Sequence, residues 1–377
     1  MTPLLLSVTI KSNKQNDFKV ILLNMAKAFT KKKFIINVAV ILIVTALAFY
    51  YLMKSDVVSL EKIRLIQPYQ YAAVFSLFSV SVLLLSLIDF FVYRSVTDKM
   101  PYGKCIINTM TGHLGSSVTP FRSGHFPLMA YYQVNSGVPV YDTVTGLTKC
   151  QIIYSAVSLV SYAILTVALA IMGNYTVFQD SKVSLWLVVL VGFTFHLAVM
   201  VVLLFIIFNK RFRTFCIKIW AKITKNTDKP EVIAKWQNNL NNYRAQITDV
   251  LKNFKKFVFP AVLYLLYMVF SGSLQYFAYV TFTGYAFSVS DLFTFYTLNL
   301  ASTYIANIIP VPGGFGTTEI MFSLVFVYVI PNAILGSVLV LWRMGTYYMP
   351  IVIEVVFFAV FTLTGKRKKD KTLIKEN

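Results

Sequence analysis

Charged side chains are scarce in this chain: 13% of its 377 residues are Asp, Glu, Lys or Arg, where a soluble domain carries about 25%. That deficit excludes an ordinary globular protein. Cysteine is nearly absent too. Cys105, Cys150 and Cys216 are odd in number and form no C-x-x-C spacing, which excludes a disulfide framework and a zinc site. They read as small apolar residues, and neither metal nor cofactor is expected. Acidic residues are the scarcest charge, 15 against 35 Lys plus Arg, for a net charge of +20. What fills the space is hydrophobic: 57% of the chain, with a mean hydropathy of +0.67. The composition predicts an all-α polytopic membrane helix bundle.

A helix needs about 20 apolar residues to cross the hydrocarbon core. Phe34 to Met53, Tyr71 to Val92, Ile152 to Met172, Val183 to Phe208, Phe257 to Phe282 and Leu292 to Ile309 meet that length. Thr317 to Ile330 is short, and Ala333 to Leu363 is long and interrupted by Arg343, Pro350 and Glu354. About eight crossings are expected.

The position of the charges explains the surplus. Lys11, Lys14, Lys19, Lys27 and Lys31 to Lys33 precede the first span, a second basic cluster runs from Lys210 to Lys256, and the tail after Gly365 reads KRKKDKTLIK. The positive-inside rule puts all three in the cytoplasm. The short, nearly neutral loops around Asp56 and Asp180 belong outside. The expected organisation is a basic cytoplasmic N-terminus (1–33), an integral membrane domain (34–363) with a basic cytoplasmic loop (209–256), and a basic cytoplasmic tail (364–377). Nucleic-acid binding is not expected, because the aromatics lie in spans and not among the basic clusters. Within the loop, Ile233, Trp236, Leu240, Tyr243, Ile247 and Leu251 recur at helical spacing. The stretch Pro230 to Lys256 reads either as an amphipathic helix at the inner membrane surface or as a solvated connector.

Two segments are broken by glycine and proline, one in each half. The first runs from Cys105 to Val134 with LGSSVTPFRSGHFP, Leu114 to Pro127, at its centre, and the second is ANIIPVPGGFGTTEIMF, Ala306 to Phe322. Each has a proline four residues before a glycine, Pro120 with Gly124 and Pro312 with Gly316, which points to an internal repeat. A broken helix exposes backbone groups that lipid cannot satisfy, so such segments, re-entrant or kinked, line a cavity or pack inside the bundle. Paired breaks in two halves are the sequence signature of a transporter's substrate site. Tight packing where two helices cross is the competing reading. PVPGGFGTTE, with Gly313 and Gly314 at its centre, lacks the G-K-[ST] ending of a phosphate loop and follows a span, which excludes ATP binding of that kind. Gly316 and Thr317 are candidate caps of a helix whose N-terminus would favour an anion.

Ionisable residues at membrane depth are functional candidates. Asp89, His113, Arg122, His125, His196, Glu319, Arg343 and Glu354 are the set here. Asp89 lies near a span end, where snorkelling would satisfy it, and His196 on its aromatic-rich helix reads as a packing residue. Glu354 lies three helical turns beyond Arg343, about 16 Å away, so the two are not partners. Glu319 falls in the first turn of its helix, where the dipole contributes up to about 1 kcal/mol at exposed sites. That makes Glu319 and Arg122, both on broken segments, candidates for activity more than for stability.

The PVPGGFGTTE motif, the S-x-x-D-L element from Ser288 to Leu292, the P-x-R-x-G element from Pro120 to Gly124, and Arg343 together resemble the lysylphosphatidylglycerol synthase transmembrane family. The likeness runs from about Phe34 to Leu363, and Lys149 falls only loosely where many relatives carry an arginine. The resemblance implies a membrane domain like that of the bacterial multiple peptide resistance factors, in which a soluble synthase moves lysine from lysyl-tRNA to phosphatidylglycerol and the membrane part is implicated in carrying the product outward. After Leu363 fourteen residues remain, too few for a soluble synthase domain.

The expected function is therefore handling of an anionic or aminoacylated phospholipid in a bacterial inner membrane, most concretely translocation of lysyl-phosphatidylglycerol, with resistance to cationic peptides as its consequence. In that reading Arg122 or Arg343 meets the phosphate, and Glu319 or Glu354 the ammonium groups. The alternatives are a phosphatidylglycerol lysyltransferase and an accessory subunit of envelope glycolipid synthesis. The sequence offers no nucleophile beside a base and no tRNA-binding module.

Overall fold

The computed structural model describes residues 50, 53–54, 59–119, 122–172, 185–223, 230–306, 314, 316–358 and 360–361. The expected first span apart from Tyr50 and Met53, the basic termini, the loops around Asp56 and Asp180, and Pro120, Pro312 and Gly313 lie outside them. All regular structure among the described residues is helical. Four of the helices are long and apolar enough to cross a membrane: Pro68–Tyr93, Val140–Ala168, Phe254–Gly272 and Asn332–Phe358.

A short helix, α1 (Leu60–Arg64), is capped by Ser59, whose hydroxyl accepts from the Lys62 N–H. It leads into α2 (Pro68–Tyr93), where Pro68 stands at the first helical position, which needs no amide proton. The first broken segment follows as two antiparallel helices, α3 (Tyr102–Ser117) and α4 (His125–Asn135). Lys104 Nζ, at the start of α3, donates to Ser136 O, just past the end of α4, at 2.9 Å. The pair is a re-entrant hairpin that starts and finishes beside the end of α2.

The hairpin closes on two glycines and a threonine. Thr119 Oγ1 donates to Gly115 O and accepts from the Gly124 N–H, both at 2.7 Å. The two backbones touch so closely that a Cβ on Gly115 would stand 2.3 Å from Gly124 O.

The chain continues through α5 (Val140–Met172) and α6 (Leu185–Phe208). Asn209 turns it into α7 (Lys210–Ile223), its Oδ1 accepting from the Arg211 and Phe212 amides at 3.0 and 3.1 Å. Next comes α8 (Pro230–Lys252), the amphipathic helix whose spacing was visible in the sequence. The expected span from Phe257 to Phe282 is two helices, α9 (Phe254–Gly272) and α10 (Leu274–Thr283), and α10 ends at Gly284 with φ 71°.

The second broken segment joins two packed helices, α11 (Val289–Ala306), which covers most of the run expected as a span from Leu292 to Ile309, and α12 (Thr317–Phe326); between them only Gly314 and Gly316 are among the described residues. Ten residues make α12 about 15 Å long, half the hydrocarbon thickness, so it cannot cross alone. Last comes α13 (Asn332–Arg343), which passes through a π-helical turn, Met344–Tyr348, and continues to Phe358.

The two hairpins enter from opposite ends. Gln70 Nε2, at the start of α2, donates to Thr281 O near the end of α10 at 2.9 Å. Val92 and Tyr93, at the end of α2, cluster with Phe257 at the start of α9. So α2 and α9–α10 run antiparallel. The first hairpin opens beside the start of α9, the end that also carries the basic α7 and α8. The second opens at the far end, where Phe295 of α11 and Phe326 of α12 pack with Tyr276 and Ile66. Each half reads span, hairpin, span, which makes the suspected repeat an inverted one.

One contact ties the basic connection to the bundle. Lys149 of α5 is buried and lies 2.6 Å from Asp249 of α8, over the Phe257 ring at 5.5 Å. The helix α5 runs twelve residues further back than the apolar run from Ile152 suggested, and Val140, Thr143, Thr145, Leu147 and Lys149 on that extension are buried. The hydrogen bond from Lys149 holds the Asp249 carboxyl below the usual carboxylate range, with Asn253 Nδ2 adding a second bond at 2.8 Å. A carboxyl lowered on folding stabilises above its ordinary range, near 3.9, and that contribution disappears as pH falls through the lower folded value. Because Asp249 is 43% exposed, solvent screens much of the effect. Acidification should therefore speed hydrogen exchange at 244–252, relative to intrinsic rates, before it disturbs α2 or α13. Loss of protection in all three helices together would contradict this.

Candidate functional site

Glu319 and Arg343, assigned separately from sequence, meet in the interior. Gly316, with φ 71°, caps the N-terminus of α12 in a conformation that favours glycine, and Glu319 follows in the first turn as expected. Arg343 is the last residue of α13 before the π turn. Arg343 Nε donates to Glu319 Oε1 at 2.6 Å, with both side chains buried. The guanidinium lies 4.7 Å from the Tyr347 ring centre and 5.3 Å from that of Trp342. Glu319 Oε2 is buried and has no hydrogen-bond partner among the described residues.

The π turn carries the contact onward to the other half. Tyr347, four residues past Arg343, donates its hydroxyl to Ser117 O at 3.0 Å, at the end of α3. Glu319, Arg343, Tyr347 and Ser117 thus form one line from the start of the second hairpin's returning helix to the tip of the first hairpin. Neither Tyr347 nor Ser117 was singled out from sequence. Their signal was the i to i+4 spacing after Arg343 and the serine pair before the first break.

Glu354 has a different partner. Its Oε1 lies 2.9 Å from His113 Nδ1 of α3, and the His113 ring packs on Phe78 at 5.3 Å and faces Tyr347 at 6.5 Å. Among the ion pairs of the described residues, Glu354 is matched with His113 and Arg343 with Glu319. His125, at the start of α4, places Nδ1 3.0 Å from both Gly112 O and Ser116 Oγ, closing the hairpin internally.

Arg122 stands apart from these contacts. It occupies the hairpin tip with φ 55° and an exposed side chain, and takes part in none of the ion pairs found among the described residues. Gly124 forms the first turn's cap, and Gly314, at φ 68°, accepts a hydrogen bond from Thr317 Oγ1 at 2.9 Å. Asp89, for which snorkelling was the simple reading, is instead 1% exposed and faces inward. The His196 side chain lies outside the described residues.

Chemically, the arrangement offers a buried carboxylate and guanidinium, aromatic faces beside the cation, and an open carboxylate oxygen. Charge-assisted hydrogen bonds are strong in such surroundings, and ionisable groups at this depth line polar pathways more often than they stabilise. A family model described as "Lysylphosphatidylglycerol synthase TM region" matches residues 34–353. A search of curated proteins found no match.

Proposed function

Because the chain belongs to the lysylphosphatidylglycerol synthase transmembrane family, we propose that it moves an anionic or aminoacylated phospholipid between leaflets. The observation that carries this reading is the buried Glu319–Arg343 pair at the start of a half-helix, joined through Tyr347 to the tip of a hairpin that enters from the opposite end. Inverted halves whose broken helices meet inside the bundle suit a site approached in turn from either leaflet. Arg343 would take the lipid phosphate, and Glu319, through its open oxygen, an ammonium group of the headgroup. Glu354 with His113, and the exposed Arg122 at the tip, would form the next polar steps along the path. The basic end would face the cytoplasm, by the charge rule for membrane loops.

Leaflet-resolved lipid analysis of a deletion strain in its native host tests the reading. A translocator predicts an aminoacylated or anionic lipid that is still made but confined to the inner leaflet, with sensitivity to cationic peptides. Complete loss of one lipid species would instead point to a synthetic enzyme.

A further inference from the structure

The basic connection holds two amphipathic helices, and they use their apolar faces differently. In α8, Ile247 is buried and Val250 packs against the cluster of Tyr93 and Phe257, while Gln237, Asn238 and Asn242 stand outward. The apolar face of α8 is thus covered by the bundle, and water suits the other side. In α7 the side toward the bundle is Arg213 and Ile217, both buried, and the opposite side leaves Phe215 58% and Ile219 43% exposed. Phe215 and Ile219 are four residues apart, so they form one strip along the helix. Arg211 and Lys218, also exposed, border the strip along one edge. Neither enters an ion pair among the described residues.

Arg213 fixes the direction in which this strip looks. Its guanidinium donates to Ile207 O at 3.1 Å, a carbonyl left over in the last turn of α6, and to Asn241 Oδ1 of α8. Held on both neighbours, α7 keeps Phe215 and Ile219 turned away from them.

The strip continues a larger apolar surface. Val202, Leu204, Phe205 and Phe208, toward the end of α6, are exposed, and on a membrane protein such side chains belong against lipid. The Phe205 ring lies 6.2 Å from that of Phe212, and Phe212 lies 6.4 Å from Phe215. Three aromatic rings therefore carry the apolar surface from α6 onto α7 without a polar break. A stable protein interface buries about 800 Å² on each partner, far more than a strip of two side chains offers. A bilayer boundary asks only for an apolar face that reaches the acyl chains and cations at headgroup level.

We propose that α7 lies along the bilayer surface at the basic end, with Phe215 and Ile219 among the acyl chains and Arg211 and Lys218 on the phosphates of anionic phospholipid. Long basic side chains lay their stems on apolar surface and lift their charges to the headgroups, and an anionic leaflet attracts them. The helix therefore prefers acidic lipid to zwitterionic lipid. This inference does not rest on the translocator reading, since it concerns the surface beside the bundle and not the buried pair.

Spin labels on the full chain test it, in vesicles of phosphatidylcholine alone and in vesicles that add phosphatidylglycerol. Cys216→Ser leaves the buried Cys105 and Cys150 as the background cysteines. Labels at Phe215→Cys and Ile219→Cys should be relaxed severalfold more by oxygen, which dissolves in hydrocarbon, than by a water-soluble nickel chelate. Labels at Thr214→Cys and Asn238→Cys should show the reverse. Phosphatidylglycerol should shift the 215 label deeper, and Arg211→Gln combined with Lys218→Gln should abolish that shift. Nickel relaxing the 215 and 219 labels as strongly as the 214 label overturns the placement of α7. A 215 label whose depth ignores phosphatidylglycerol overturns the preference for anionic lipid. Spin–spin broadening at 215 that vanishes on dilution with unlabelled chain would put a second copy on the strip, and also overturns the proposal. Lipid transport enters none of these readings, so their failure is distinct from failure of the translocator reading.

Discussion

Replacing Glu319 by Gln, or Arg343 by Met, is expected to lower stability by about 3–5 kcal/mol, because each leaves the other charge buried without its partner. The first-turn position alone suggested a contribution of only about 1 kcal/mol. Burial is what changes the estimate: Glu319 is 1% exposed and Arg343 5%. Replacing both at once with apolar residues, Glu319→Leu with Arg343→Met, removes the uncompensated charge, and such exchanges are often neutral or stabilising. The double variant should therefore melt in detergent close to wild type while lipid transfer stays lost. Recovery of transfer together with stability would make the pair a structural element and remove it from the site. Tryptophan fluorescence during heating, at matched protein levels, supplies the stability arm.

The second large effect concerns the tip of the first hairpin. A methyl group on Gly115 would meet the carbonyl oxygen and carbon of Gly124, at 2.3 and 2.7 Å, and backbone atoms cannot rotate aside as a side chain can. Gly115→Ala should lower stability by about 1–3 kcal/mol, the usual range for overpacking. Its displacement of the tip should also weaken the Tyr347 to Ser117 bond, so lipid transfer should fall further than stability does. Gly103→Ala, in the same helix with nothing within 4 Å of the added carbon, is the control and should match wild type in both measurements. Equal behaviour of the two alanine variants would contradict the close approach of α3 and α4.

Much of this fold was legible in the sequence because hydrocarbon imposes simple rules on length and polarity. The apolar runs marked the helices, and the proline and glycine interruptions marked both hairpins, since a broken helix has to be buried by its neighbours. Glu319 in the first turn followed from Gly316 just before it. Helical spacing marked α8, whereas α7, shorter and strongly basic, was not distinguished from the connector. What could not be read were contacts created by packing between distant segments. Arg343 and Glu319 lie 24 residues apart on different helices, and the π turn that aims Tyr347 at Ser117 has no marker in a pattern of apolar residues. Asp89 looked like a surface residue at a span end because Tyr154, its partner on α5, is 65 positions away. Arg122 ranked high because it sits in a broken segment, yet the left-handed backbone at the tip presents its side chain outward.

The central claim is that the protein carries a phospholipid headgroup past the Glu319–Arg343 pair. The most direct test is transfer in sealed vesicles that contain the purified protein and lysyl-phosphatidylglycerol, with exposed amines followed by a reagent that cannot cross the bilayer. With wild-type protein, labelling should proceed beyond the outer-leaflet share toward the whole pool, and with the stable Glu319→Leu, Arg343→Met variant it should stop at the outer-leaflet share, as in protein-free vesicles. Wild-type protein that leaves the inner-leaflet lipid unlabelled, or a double variant that labels it as fast as wild type, would contradict the account.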